Sequence, residues 1–251
     1  MIPNDVSPFA GGLFRHILQS AGVPREVQRK LSIASIVALP LVAWLPLFVL
    51  SAVDRRLVPG SVKLPFLLDL SVHIRLLVAL PLLLIAAVIA VERLRPTLQQ
   101  FLTRALVPEP SLARYHAAVA SALRLGDSVV ADLVMLAAVY SLELFLWRTN
   151  LASVASTWRS TPAAAGAHLT PAGLYYVYVS VPVFQFILLR WYYRLIVWAR
   201  FLLQVAGLRL QLVPTNPDRV GGLGFLLLGT QAFVAFALAH GVLLAAWLSN
   251  R

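Results

Sequence analysis

From Leu31 to Val53 the chain runs for 23 residues without a charged side chain. At about 1.5 Å per helical residue that is roughly 35 Å, enough to cross a hydrocarbon core about 30 Å thick with some tilt. Lipid offers no partner to a backbone N–H or C=O, so such a run must satisfy its own backbone as a helix. The run is too long for a signal peptide, lacks a small-residue cleavage site and carries Pro40 and Pro46, so it reads as a retained span. Similar runs recur at about 68–91 (with Pro81 inside it), 128–147, 171–189 and 223–248. Composition agrees: 60% of residues are apolar, 12% are charged and mean hydropathy is +0.82, against about 45–50% and about 25% in soluble domains. These features predict an all-α polytopic integral membrane protein with about five proline-kinked transmembrane helices.

Residues 1–30 form an amphipathic segment, with Phe9, Leu13, Phe14, Ile17 and Leu18 at helical spacing, ahead of a single transmembrane domain over 31–251. The polar stretch 92–127 is divided by Pro108 and Pro110 into two helices expected at the membrane surface. Residues 148–170 show no apolar period and read as a loop. The apolar text at 190–213 reads as an interfacial helix or an extension of the fourth span. The string Val-Ala-Leu-Pro-Leu at 37–41 recurs at 78–82, but its flanks do not stay in register, which argues against an internal repeat.

The net charge is +11, from 21 Lys and Arg against 10 Asp and Glu. The positive residues are dispersed between apolar runs, unlike the clustered basic face of a nucleic-acid-binding module. Alternate connecting segments carry 14 and 6 of them, which puts the N-terminus and the amphipathic helices in the cytoplasm and Arg251 outside. A chain ending directly after an apolar run reads as the front part of a longer protein. Having no Cys, it has no disulfide, thiolate catalyst or Cys-based metal site.

Ionisable groups inside spans are the default functional candidates. Here they are Asp69, His73, Arg75, Asp132, Glu143 and His240. With this topology Asp69, His73, Arg75, Glu143 and His240 lie toward the outer side, beside Tyr175, Tyr176 and Tyr178, and are expected to line an outward-facing polar cavity. Asp69 and His73 are four residues apart and share a helix face. Asp132 and Glu143 share one too, about 16 Å apart. The structural alternative is interfacial placement, pairing of Glu143 with Arg75 or Arg148, capping by Asp132, and interhelical bonds by His240, Gln185 and Gln231. Arg190, Arg194 and Arg200 lack voltage-sensor spacing and read as lipid-facing interface charges.

Asn216, Pro217 and Asp218 have the chemistry of a helix start, with Gly221 and Gly222 permitting a bend before the last span. The alternative is an anion site on exposed N–H groups beside Arg219. The stretch Leu212-Val213-Pro214-Thr215-Asn216-Pro217-Asp218-Arg219-Val220-Gly221-Gly222-Leu223-Gly224-Phe225-Leu226 resembles a signature of uncharacterised bacterial multi-pass inner-membrane proteins. The likeness extends loosely to the Pro-rich spans and to Lys63-Leu64-Pro65-Phe66-Leu67-Leu68-Asp69. In that family a His often stands at the position of Asn216, so no metal or proton role carries over to it. The resemblance implies a bacterial inner-membrane location, a longer parent with a further span, and no particular activity.

The sequence thus points to a solute- or ion-permease-like protein built on the outer polar cluster. The competing expectation is a non-transporting scaffold or partner-binding subunit. A more remote one is a b-type haem anchor using His73 and His240. A retinal pigment is disfavoured because neither Lys30 nor Lys63 lies within a span. No nucleotide-binding glycine pattern, metalloprotease motif or nucleophile elbow is present, so nucleotide binding and hydrolytic catalysis lack candidate residues, and the leading reading assigns no catalytic residue, cofactor or metal. The expected partners are the lipid bilayer and other membrane-protein subunits, or further copies of the chain.

Overall fold

The computed structural model describes residues 25–60, 62–150, 156–163, 166–213 and 215–249. Most of the amphipathic segment expected at 1–30 lies outside them. The helices are α1 (Arg25–Val53), α2 (Leu70–Thr103), α3 (Leu112–Gly126), α4 (Val129–Asn150), α5 (Pro171–Ala206), α6 (Phe225–Thr230) and α7 (Val234–Ser249). Four of them, α1, α2, α4 and α5, are long and apolar enough to cross a membrane. The fold is all-α and polytopic. The fifth expected span is divided: a 3₁₀ turn at Gln231–Phe233 separates α6 from α7, whose 16 residues make about 24 Å.

Two helices exceed their expected lengths. The 34 residues of α2 and the 36 of α5 give about 51 and 54 Å, well beyond a hydrocarbon core of about 30 Å. For α5 this selects the extension of the fourth span over a separate interfacial helix. In α2 the helix continues through Glu92, Arg93 and Pro96 to Thr103. Beside Pro96, Thr97 Oγ1 donates back to the Arg93 carbonyl at 3.0 Å. Helix α2 stops at Thr103, ahead of Pro108, and α3 follows. The apolar face of α3 is not given to lipid: Tyr115, Ala118, Val119 and Ala122 are buried in a protein core.

Prolines write the local structure of the spans. A proline has no N–H for the carbonyl four residues back, and its ring crowds that carbonyl. Two π-helical turns, Ile74–Ala79 and Tyr176–Ser180, each end two residues before a proline, Pro81 and Pro182. Two carbonyls that lose their usual donor to a proline accept hydroxyls instead. Tyr140 Oη donates to Tyr178 O (3.1 Å), the carbonyl left by Pro182, and Tyr175 Oη donates to Val42 O (2.9 Å), the carbonyl left by Pro46. The buried Ser180 Oγ donates to the adjacent Ala43 O at 2.7 Å. Tyr175→Phe is therefore expected to lower stability by about 1 kcal/mol, read as a lower unfolding midpoint in detergent micelles. An unchanged midpoint would refute the bond's role.

The chain gathers into two compact units. One contains Ile85–Asp132 and Arg190–Ala237; the other contains Arg29–Leu84, Leu133–Leu189 and the chain from Leu238 onward. The first is built around Leu98 and Phe101 of α2, Tyr115 and Val119 of α3, Val197 and Phe201 of α5, and Phe225 of α6. The second has an aromatic centre of Trp44, Phe48, Phe66, His73, Trp158 and Tyr176. Within the stretch read as a loop, β1 (Ser160–Ala163) and β2 (Gly166–Leu169) pair antiparallel, with Ser160 opposite Leu169. Four-residue strands are too short to show a hydrophobic period. Thr170 then caps α5, accepting from Gly173 N at 2.9 Å, with Pro171 in the first turn.

Candidate functional site

In the second unit Asp69 stands just ahead of α2, 1% exposed. Its Oδ2 accepts from Trp158 Nε1 and from Arg159, both at 3.0 Å, and its Oδ1 accepts from the Ser71 hydroxyl at 2.7 Å. Burial alone would raise its pKa. The Arg159 charge and the bonds from Trp158, Ser71 and the Val72 N–H outweigh that and hold the carboxyl below its ordinary value. Trp158 is fully buried, edge-on to Phe66 and Tyr176, and the Arg159 guanidinium lies over both the Trp158 and Tyr176 rings. Gly173 is required beneath them, because a Cβ there would sit 2.1 Å from the Arg159 carbonyl oxygen.

His73 does not join Asp69. Its Nδ1 accepts from Trp44 Nε1 at 2.9 Å, and its Nε2 lies 3.0 Å from the Phe66 carbonyl. An indole N–H only donates and a carbonyl only accepts, so the ring proton is on Nε2. Both ring nitrogens are thereby engaged. To ligate a haem iron, His73 would have to give up one of these bonds, and that geometry speaks against the haem reading. His240 is half-buried on α7.

Arg75 lies in the first π-helical turn and donates to Tyr176 Oη, in the second, at 2.7 Å. It also lies over the Phe184 ring. Among the described residues this single hydrogen bond takes one of its five N–H donors. Glu143 accepts from Gln185 Nε2 at 2.6 Å and feels the Arg75 charge. Gln185 Oε1 is buried with no hydrogen-bond partner among the described residues. Arg75, Glu143, Tyr176 and Gln185 thus bring charge and uncommitted hydrogen-bonding capacity to α2, α4 and α5.

In the first unit Asp132 is 2% exposed and pairs with Arg190. The capping role considered for Asp132 and the lipid-facing placement expected of Arg190 both fall to other arrangements. The cap of α4 is Ser128, whose Oγ accepts from Ala131 N at 3.2 Å, and Arg190 is an internal partner rather than a lipid-facing charge. Arg194 lies over the Trp191 ring.

The motif around Asp218 is a turn, not a helix start, since α6 begins only at Phe225. Asn216 Oδ1 accepts from Asp218 N at 3.2 Å. The Asp218 carboxylate accepts three backbone N–H groups, those of Val220 and Gly222 at 3.0 Å and of Gly224 at 2.9 Å. The donors proposed for an external anion are therefore taken by the chain's own carboxylate. Desolvation works to raise the Asp218 pKa; these N–H groups and the Arg104 charge overcome it and keep the value low. Gly221 and Gly222 take positive φ angles of 66° and 97°, which a left-handed turn requires.

Sequence reasoning missed Trp44, Trp158 and Arg159. A tryptophan and an arginine next to each other in a polar connection carry no periodic signal, and only the fold brings them to Asp69. No protein-family model, curated protein or solved structure matches the chain. The class stands on the fold: an α-helical, polytopic membrane protein.

Proposed function

We propose that the protein is a solute- or ion-permease-like membrane protein whose site is the cluster Arg75, Glu143, Tyr176 and Gln185. The observation that carries this reading is the contrast in commitment among the ionisable groups. Asp69, His73 and Asp132 hold the protein together, whereas Arg75 and Glu143, both on helices long enough to span, keep capacity to bind. A group held that way in a low-dielectric environment interacts strongly with a solute or ion. The charge count and the likeness of 212–226 to bacterial inner-membrane proteins support a bacterial inner membrane and a cytoplasmic N-terminus.

The test is flux through proteoliposomes carrying the purified full chain, with H⁺, Na⁺, K⁺ and Cl⁻ as probes. Wild type is expected to pass at least one of them, and Glu143→Gln to reduce that flux about tenfold or more while still inserting. No flux in wild type, or full flux in Glu143→Gln, overturns the proposal.

The second reading, a partner-binding subunit, takes the Glu143–Gln185 bond as one that only holds α4 to α5. It expects Glu143→Gln to alter assembly, with no flux to lose.

A further inference from the structure

We propose that the turn from Arg209 to Gly222 is a docking surface for anionic phospholipid. The described residues of the turn, 209–213 and 215–222, are tied together by backbone bonds. Val213 N donates to Gly221 O (3.1 Å), Gln211 N donates to Leu106 O (2.8 Å), and the Asp218 carboxylate ties the far limb through its three N–H bonds. That closure absorbs the one carboxylate of the turn into its own backbone. The turn then presents two exposed arginines, Arg209 and Arg219, beside the exposed apolar side chains Leu212 (48%), Val213 (49%) and Val220 (52%).

Guanidinium groups flanking an apolar tip suit a phosphate layer over acyl chains: the apolar residues leave water while the arginines pair with phosphate. An RNA or an acidic protein surface would match the arginines and leave the apolar tip without a purpose. Position agrees, since Arg219 precedes Phe225, the first residue of the apolar helix α6, by only six residues. Arg219 also holds a φ of +58°, a conformation free to glycine and strained for arginine.

The experiment is native mass spectrometry of the detergent-purified full chain with phosphatidylglycerol and phosphatidylcholine supplied equally. Wild type is expected to retain phosphatidylglycerol preferentially. At about fivefold per arginine near a charged surface, Arg209→Gln with Arg219→Gly should reduce that retention about 25-fold. Arg219→Gly alone should reduce it about fivefold with an unfolding midpoint equal to or above wild type, because the glycine relieves the strained φ. Arg114→Gln, an exposed arginine on α3 outside the turn, should change retention less than twofold. Equal retention of the two lipids by wild type overturns the proposal. So does undiminished retention in the double variant, or a loss in Arg114→Gln matching that in Arg219→Gly.

Discussion

Arg190→Ala lowers the stability of the protein by about 3–5 kcal/mol, the range for removing one partner of a buried ion pair. The reason is what it leaves behind. Asp132 is 2% exposed and cannot turn to water, so it loses the guanidinium it pairs with while staying in the protein interior. The measurement is thermal unfolding in detergent at neutral pH. The double variant Arg190→Ala/Asp132→Ala should recover most of the loss, since replacing both partners removes the buried carboxylate as well as the bond. If the double variant is as unstable as the sum of the single ones, the pair is not what matters there.

Asp69→Ala comes next in size, at about 3 kcal/mol, and most of that belongs to Trp158 rather than to Arg159. Arg159 is 35% exposed and regains water when its partner is lost, so the ion pair itself contributes little. Trp158 is fully buried, and its indole N–H has nowhere else to go, a penalty of about 1–3 kcal/mol. Trp158→Phe removes that donor in advance, and Asp69→Ala should therefore be less damaging in the Trp158→Phe background than in wild type. Strict additivity would contradict this division.

The same carboxylate sets a pH dependence. Its folded pKa lies below the ordinary aspartate value of 3.8, so the unfolded chain takes up its proton first as pH falls. The stabilisation is complete well above 3.8, begins to fade near it, and is gone once pH passes below the depressed folded value. Asp69→Ala should flatten that part of the acid-unfolding profile. An unchanged profile would assign the acid sensitivity to another carboxylate.

The class of the fold was legible from the apolar runs alone, because a membrane permits so few backbone solutions. Helix ends were less legible. The charges and proline at 92–96 read as an end to α2, yet Thr97 and the core around Leu98 and Phe101 carry the helix on. For the site, spacing identified the ionisable residues but could not sort them. Asp69 and His73 are four apart in sequence, but Asp69 stands outside the helix and is held by a distant connection, while His73 turns to Trp44 and Phe66. Whether a polar group is committed depends on partners about 30 to 100 residues away, which no local pattern records.

The hydroxyl caps on the first helix bear on the protein's biogenesis. The donors to Val42 and Ala43 belong to Tyr175 and Ser180, 133 and 137 residues later. Until Tyr175 has been synthesised, α1 itself offers nothing to replace the donor that Pro46 denies to the Val42 carbonyl. Arrival of the fourth long helix supplies both hydroxyls together. Helix α1 is thus completed by side chains of a helix synthesised well after it.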